Sequence, residues 1–420
     1  MSEGFFQFLD IPRKTVVPLV PRCSQCGLYR SCRSPKMPPS GQGKKKVLLV
    51  GEGPALNEDR EGLQFVGDSG QLLERILREI SVDMRRDCYV TNSIICFARD
   101  REDKGRTPTD KEIGHCRPNL VKTIEELQPE VIIPLGASAV KSLIGWLWKE
   151  DVGPIGRWVG WQIPSQKLNS WICPTWHPAY LLRTGKGREN DVLRLLIKQH
   201  LQTAFDLDGR PWEKAPDYAS LLKCILDPVE AALEIEKFIE AGKPIAFDLE
   251  CEGLKPDNPD LQIVSCSVSD GRSSIAFPWH GRAIKAMKHL LESGLPKIGF
   301  NQKYEQRWLR AKSGIKVQSW SLDGMLAAHV LDSRPGICSL EFQAFVLLGQ
   351  EPWGDEIKHY LKSDGPNERN RIREVPLPKL LLYNAMDSLM ECKVARIQAK
   401  RLGTKLNGTE SSLRQERVAV

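Results

Sequence analysis

Short apolar runs alternate with amphipathic stretches along the first half of the chain. KVLLVGE, CYVTNSII and EVIIPLG are brief and rich in Val and Ile, whereas SGQLLERILREI, NLVKTIEEL and ASAVKSLIGWLW repeat their apolar positions at helical spacing. Strand followed by helix, repeated, predicts a parallel sheet covered by helices. The run DLDGRPWEKAPD breaks every period and reads as a linker. Beyond it the order changes: a helix, DPVEAALEIEKFIEAG, leads into three strand-like runs, PIAFDLEC, LQIVSCSVSD and SSIAFPWH, and then mostly helices. That order predicts a mixed sheet flanked by helices. The expected class is α/β throughout, with a first domain over 1–207, a linker over 208–218, a second domain over 219–402 and a polar, disordered tail over 403–420.

A length of 420 residues exceeds what one core usually organises, and 41% hydrophobic with 27% charged residues is the balance of a globular chain. Net charge is +7 with a pI near 8.7, which suits a polyanionic partner without demanding one. No apolar run is long enough to span a bilayer, and MSEGFFQFLDIPRK lacks the layout of an export signal, so a cytoplasmic protein with no membrane partner is expected. The 12 cysteines are then reduced thiols, some of them metal ligands, rather than a disulfide framework.

Candidate chemistry in the second half is acidic. Asp248 and Glu250 stand two apart in IAFDLEC, and alternate strand positions share a face. IGFNQKYEQRWL places Asn301 and Glu305 where a strand turns into a helix, and LLYNAMDSLMECKV sets Tyr383 and Asp387 four apart on one helical face. Hydrolysing a phosphodiester at neutral pH requires an activated water and compensation for charge on the phosphate, and a pair of divalent ions can supply both. Carboxylates suit Mg2+ or Mn2+, and a tyrosine hydroxyl can orient the attacking water.

In order and spacing, roughly residues 230 to 400 resemble the DEDD exonucleases of the tyrosine subtype, the proofreading domains of family A DNA polymerases. The resemblance implies a ribonuclease H-like (DnaQ-like) fold and 3'→5' exonuclease activity, with Asp248, Glu250, Glu305 and Asp387 holding two Mg2+ or Mn2+ and Tyr383 assisting. Asn301 lies in the second motif, on the substrate side. That motif ends in aspartate in the family, and Glu305 is longer by one methylene, so weakened rather than absent catalysis is expected.

The first half offers Cys23 and Cys26 as C-x-x-C, with Cys96 and Cys116 far along the chain and Cys32 as a rival ligand; zinc and iron-sulfur clusters both accept four thiolates. The loop GEGPALNEDREGLQFVGDSGQLL follows the first strand and has glycines for close backbone approach, but lacks the lysine and serine of a nucleotide-binding P-loop. Together with YVTNSIIC, RTPTDKEIGHCRP, EVIIPLG and HPAYLLR, these segments resemble family 4 uracil-DNA glycosylases over about residues 20 to 205.

That resemblance implies a parallel-sheet α/β/α domain and a structural [4Fe-4S] cluster on Cys23, Cys26, Cys96 and Cys116. It further implies that Phe65 stacks on a flipped uracil, Asn92 reads its edge, His177 stabilises the departing base, and Glu52 positions water or the sugar cation, with Asp59 and Glu58 behind it. Gly51 and Gly53 line the loop. The family's GEAPG becomes GEGPA here, which puts a methyl at Ala55 where a glycine is usual. Each residue also has a plainer role: His177 before Pro178 can cap a helix, Asn92 can close a turn, and Phe65 can be core.

The whole reads as a phage-like glycosylase and exonuclease fusion acting on single-stranded or frayed, uracil-containing DNA, with a separately encoded family A polymerase as partner. Two other readings stay open: a binding module tethering an exonuclease, and a replisome scaffold with a weakened nuclease.

Overall fold

The computed structural model describes residues 20–406 except 101, 103, 150, 186 and 366, so most of the expected disordered tail lies outside the described residues. The chain divides into two compact units, one taking the residues up to 162 with 170–210, the other 163–169 with the residues from 211 onward.

In the first unit the strands run β2-β1-β3-β5, with β1 at Val47–Gly51, β2 at Cys88–Asn92, β3 at Val131–Pro134 and β5 at Ser170–Ile172; β4 (Ile163–Ser165) lies in the stretch 163–169 assigned to the second unit. β1 pairs in parallel with β2 and β3, and β3 with β5. β1 is buried along its whole length, as expected of a strand covered on both faces. Helices Asp68–Arg78, Asp110–Leu127, Ala137–Leu147 and Arg188–Phe205 supply the cover. The helical run NLVKTIEEL is the C-terminal half of Asp110–Leu127, which starts on a capping box between Thr109 and Glu112.

In the second unit the sheet order is β11-β10-β7-β8-β9-β6, from β6 (Leu222–Cys224), β7 (Ile245–Cys251), β8 (Ile263–Ser269), β9 (Ser274–Pro278), β10 (Lys297–Gly299) and β11 (Trp320–Asp323). β7, β8 and β9 form an antiparallel meander, whereas β10 joins β7 and β6 joins β9 in parallel. The mixed sheet expected from the strand runs is therefore present. Along β7, Ile245, Phe247, Leu249 and Cys251 enter one core with Trp308 and Leu309, while Ala246 on the opposite face packs with Cys392 and Ala395. Period-two alternation thus turns Asp248 and Glu250 toward helix Leu377–Arg401, which is buried through most of its length.

Candidate active sites

In the first unit the sequence-predicted residues gather at the carboxyl ends of parallel strands, where open α/β sheets bind ligands. Gly51 ends β1, Glu52 follows it, Asn92 ends β2, and His177 lies beyond β5. A Cβ on Gly51 would stand 2.4 Å from Asn92 Oδ1 and 2.7 Å from the Phe65 ring, so only glycine leaves room for these two side chains. Phe65 itself has φ +55°, a strained setting for an aromatic residue, and its ring stacks beside His177 with centroids 6.2 Å apart and 19° between planes. A Cβ on Gly136 (φ +87°) would come within 2.8 Å of His177 Cβ, so the strand end admits the histidine only because it is glycine.

His177 is the N-cap of helix Pro178–Arg183, its Nδ1 accepting from the Ala179 amide at 3.1 Å. Burial, with Arg183 adding repulsion, pushes its pKa down to about 4. The ring is therefore neutral near pH 7, and because Nδ1 is an acceptor the hydrogen-bond network assigns the proton to Nε2. The plain role and the functional one coincide: the cap fixes the tautomer. Glu52 accepts from Ser138 Oγ at 2.9 Å.

Asp59, expected behind Glu52, has its oxygens accept from the Arg33 and Ser34 amides at 3.0 and 2.9 Å, so it braces the segment after Cys32. Glu58 likewise accepts from the Ala55, Val66 and Gly67 amides and holds the loop's curve. The methyl of Ala55 carries no backbone penalty, since Ala55 is extended at φ −102°, ψ −170°. At Gly53 a Cβ would meet the Ile94 side chain at 2.7 Å, so a larger residue there requires that side chain to shift.

Cys23, Cys26, Cys96 and Cys116 line one pocket with Leu28, Tyr29, Ile94, Ile95 and His115. Cys32 turns away, its Sγ directed at the carbonyls of Leu28 and Phe97. Cys96 Sγ accepts from the Lys36 amide at 3.3 Å and Cys116 Sγ from Asn119 Nδ2 at 3.5 Å, the donors a bound thiolate uses. Burial raises these thiols, Cys96 to about 12 and Cys116 to about 11, so a cationic group is needed to hold them as thiolates.

The second unit brings together Asp248, Glu250 and Asp387, whose ligand oxygens lie within 4.8 Å of one another; among the described residues this is the group so disposed. Asn384 Nδ2 donates to Asp248 at 2.6 Å, and β8 seats Asn384 in turn, Ser265 Oγ donating to its side-chain oxygen and Ser267 Oγ to its carbonyl. Trp353 Nε1 donates to Asp387 Oδ1 at 2.8 Å, and its loop is pinned where the Gly354 amide donates to Glu341 at 3.1 Å. Tyr383 lies one helical turn before Asp387, on the same face, and its side chain favours the charged form of that carboxyl.

Burial and mutual repulsion push the carboxyls up, Asp248 to about 7 and Glu250 and Asp387 well above the usual range. Like charges 4.8 Å apart repel by about 3 kcal/mol per pair at an effective dielectric near 20. Divalent cations would relieve this.

Glu305 is buried on helix Gln302–Ser313, outside the close trio, and its Oε2 has no hydrogen-bond partner. Asn301 caps that helix at φ +84°, its backbone amide donating to Asp323 at 3.2 Å, so it turns the chain into the helix. Sequence reasoning missed Asn384 and Trp353. Asn384 could have been found three residues before Asp387 on the same helical face; Trp353, a loop residue distant in sequence, left no comparable signal.

Comparison with known proteins agrees with this division. Residues 38–201 match the family model described as the uracil DNA glycosylase superfamily, and residues 225–401 match that of a 3'-5' exonuclease. The chain is 35% identical over 166 residues to a type-4 uracil-DNA glycosylase of Saccharolobus solfataricus, covering 39% of this chain and 74% of that protein. It is 33% identical to one of Thermotoga maritima, covering 43% and 86%. A DNA polymerase of Bacillus phage SP01 is 27% identical over 334 residues, which is 71% of this chain and 34% of the polymerase.

Proposed function

The first half of this chain belongs to the type-4 uracil-DNA glycosylase family and the second carries a 3'-5' exonuclease domain of the phage and family A polymerase kind, and from that premise we propose a DNA-processing enzyme with two separate hydrolytic sites. The observation that carries the nuclease reading is the convergence of Asp248, Glu250 and Asp387, from a strand and a helix more than 130 residues apart in the chain, to within 4.8 Å.

At the glycosylase site Phe65 stacks on an extruded uracil and Asn92 pairs with its edge. The Nε2–H of neutral His177 donates to the oxygen on which charge collects as the base departs, and preorganised donors of this kind are worth about 10² to 10³ in rate. Glu52, held by Ser138, orients the water or faces the cationic sugar. The four pocket-lining cysteines fit a [4Fe-4S] cluster, given their spacing and the amide donors to their sulfurs. The cluster would join the amino-terminal segment to the helix bearing Cys116.

At the exonuclease site Asp248, Glu250, Glu305 and Asp387 would hold two Mg2+ or Mn2+ ions, which when bound supply charge for the phosphate and acidify the attacking water. Asn384 and Trp353 orient the carboxylates, and Tyr383, one helical turn before Asp387, can align the water. The substrate is DNA, taken as uracil-containing and frayed or single-stranded 3' ends. The likeness to part of a phage DNA polymerase supports work alongside a DNA polymerase.

Release of uracil from single-stranded DNA, lost in His177→Ala, and Mg2+-dependent digestion from a 3' end, lost in Asp248→Ala, test the two halves separately. Intact protein that performs neither reaction would overturn the proposal.

A further inference from the structure

Glu391 lies one helical turn beyond Asp387 on helix Leu377–Arg401 and is 2% exposed. Among the described residues, the buried carboxylate oxygens without a hydrogen-bond partner are Oε2 of Glu391 and Oε2 of Glu305. The charges that weigh most on Glu391 are other carboxylates: Asp248, Glu305, Asp387 and Asp323. The cations along the same helix are engaged elsewhere, Lys393 over the Tyr218 ring at 4.9 Å and Arg396 on the Asp270 carbonyl. Asp323 offers no relief either, since its oxygens already accept from the amides of Asn301, Gln302, Met325 and Leu326.

Native interiors pair their buried polar groups, so two unpartnered carboxylate oxygens beside a third, fourth and fifth acid require something cationic to face them. Glu391 is not among the motif positions carried over from the exonuclease resemblance. We propose that Glu391 is a further acidic member of the metal centre, acting with Glu305 to hold the hydrated divalent cation on the Asp248 side. Mg2+ keeps several of its waters, and a pair of carboxylates can accept from those waters without touching the ion. The longer side chain at position 305 is then matched by a second carboxylate from the opposite element. This inference rests on the two-metal reading of Asp248, Glu250 and Asp387.

The test is Mn2+ binding to the full chain, followed by the paramagnetic signal of free Mn2+, together with melting in chelator and in Mg2+. Glu391→Gln is nearly isosteric and removes the charge. It should weaken binding at one of two sites by about 10-fold to 100-fold, the usual cost of losing a partner that orients a metal site. It should also raise the melting temperature in chelator. Glu305→Gln should weaken the same site, and the double variant should lose no more than the worse single one, because the two act on one cation. That cycle still decides the matter if one variant folds poorly. Wild-type Mn2+ affinity and stoichiometry in both single variants, with Asp248→Asn abolishing binding, would overturn the role of Glu391 alone. Unchanged binding in Asp248→Asn as well would overturn the metal reading beneath it.

Discussion

The two sites of this chain solve the problem of buried polar groups in opposite ways. In the first unit the ionisable groups are already partnered: Glu52 by Ser138, Asp59 by two amides, Glu58 by three and His177 by the Ala179 amide. In the second, Asp248, Glu250 and Asp387 crowd one another, with unpartnered oxygens on Glu305 and Glu391 beyond them. A site built for a neutral base can be finished by the protein alone, whereas a site built for a phosphate is left incomplete until cations arrive.

The sharpest way to break this contrast is Asp248→Ala. It should reduce 3'-end digestion to the metal-free background while leaving uracil release at its wild-type rate, measured on the same preparation; loss of both would mean the sites are not independent. His177→Ala should do the reverse, lowering uracil release by about 10² to 10³ with digestion unchanged. A smaller effect is expected from Trp353→Phe, which removes the indole donor from Asp387: Mn2+ affinity should fall about 10-fold, read by titration, with uracil release unaffected.

Saturating Mg2+ should raise the melting temperature of the exonuclease unit by about 5 to 10 °C and leave the glycosylase unit's transition in place, seen by calorimetry. The smallest change concerns pH. The native pKa of His177 is near 4 against an ordinary 6.5, so between those values the unfolded chain binds a proton that the native ring refuses. Its contribution to stability is full above about pH 6.5 and is lost as pH falls toward 4. The ring resonances should accordingly show no titration between pH 5 and 8.

Much of the fold could be read from the chain because each half repeats a local period that agrees with its tertiary setting. The alternation in IAFDLEC places Asp248 and Glu250 on the helix side, and the spacing of Tyr383 and Asp387 puts both on one helical face, as the structure has them. What the chain does not report is which loop lies opposite. The resemblance set Asp59 behind Glu52, and nothing in its sequence neighbourhood signals that the amides of Arg33 and Ser34 come to it from a segment 25 residues earlier. Trp353 reaches Asp387 from a loop 34 residues away, and no periodicity reports such a meeting. Ala55 looked costly only on the assumption of a glycine-like backbone, and its extended dihedrals remove that assumption.

A Cβ at position 53 would stand 2.7 Å from the Ile94 side chain, so a larger residue there asks that side chain to move aside. The contour of the loop is thus tied to the shape of a single neighbour. A grafted loop that carries alanine at the first position should seat without displacement once Ile94 is trimmed in the same step.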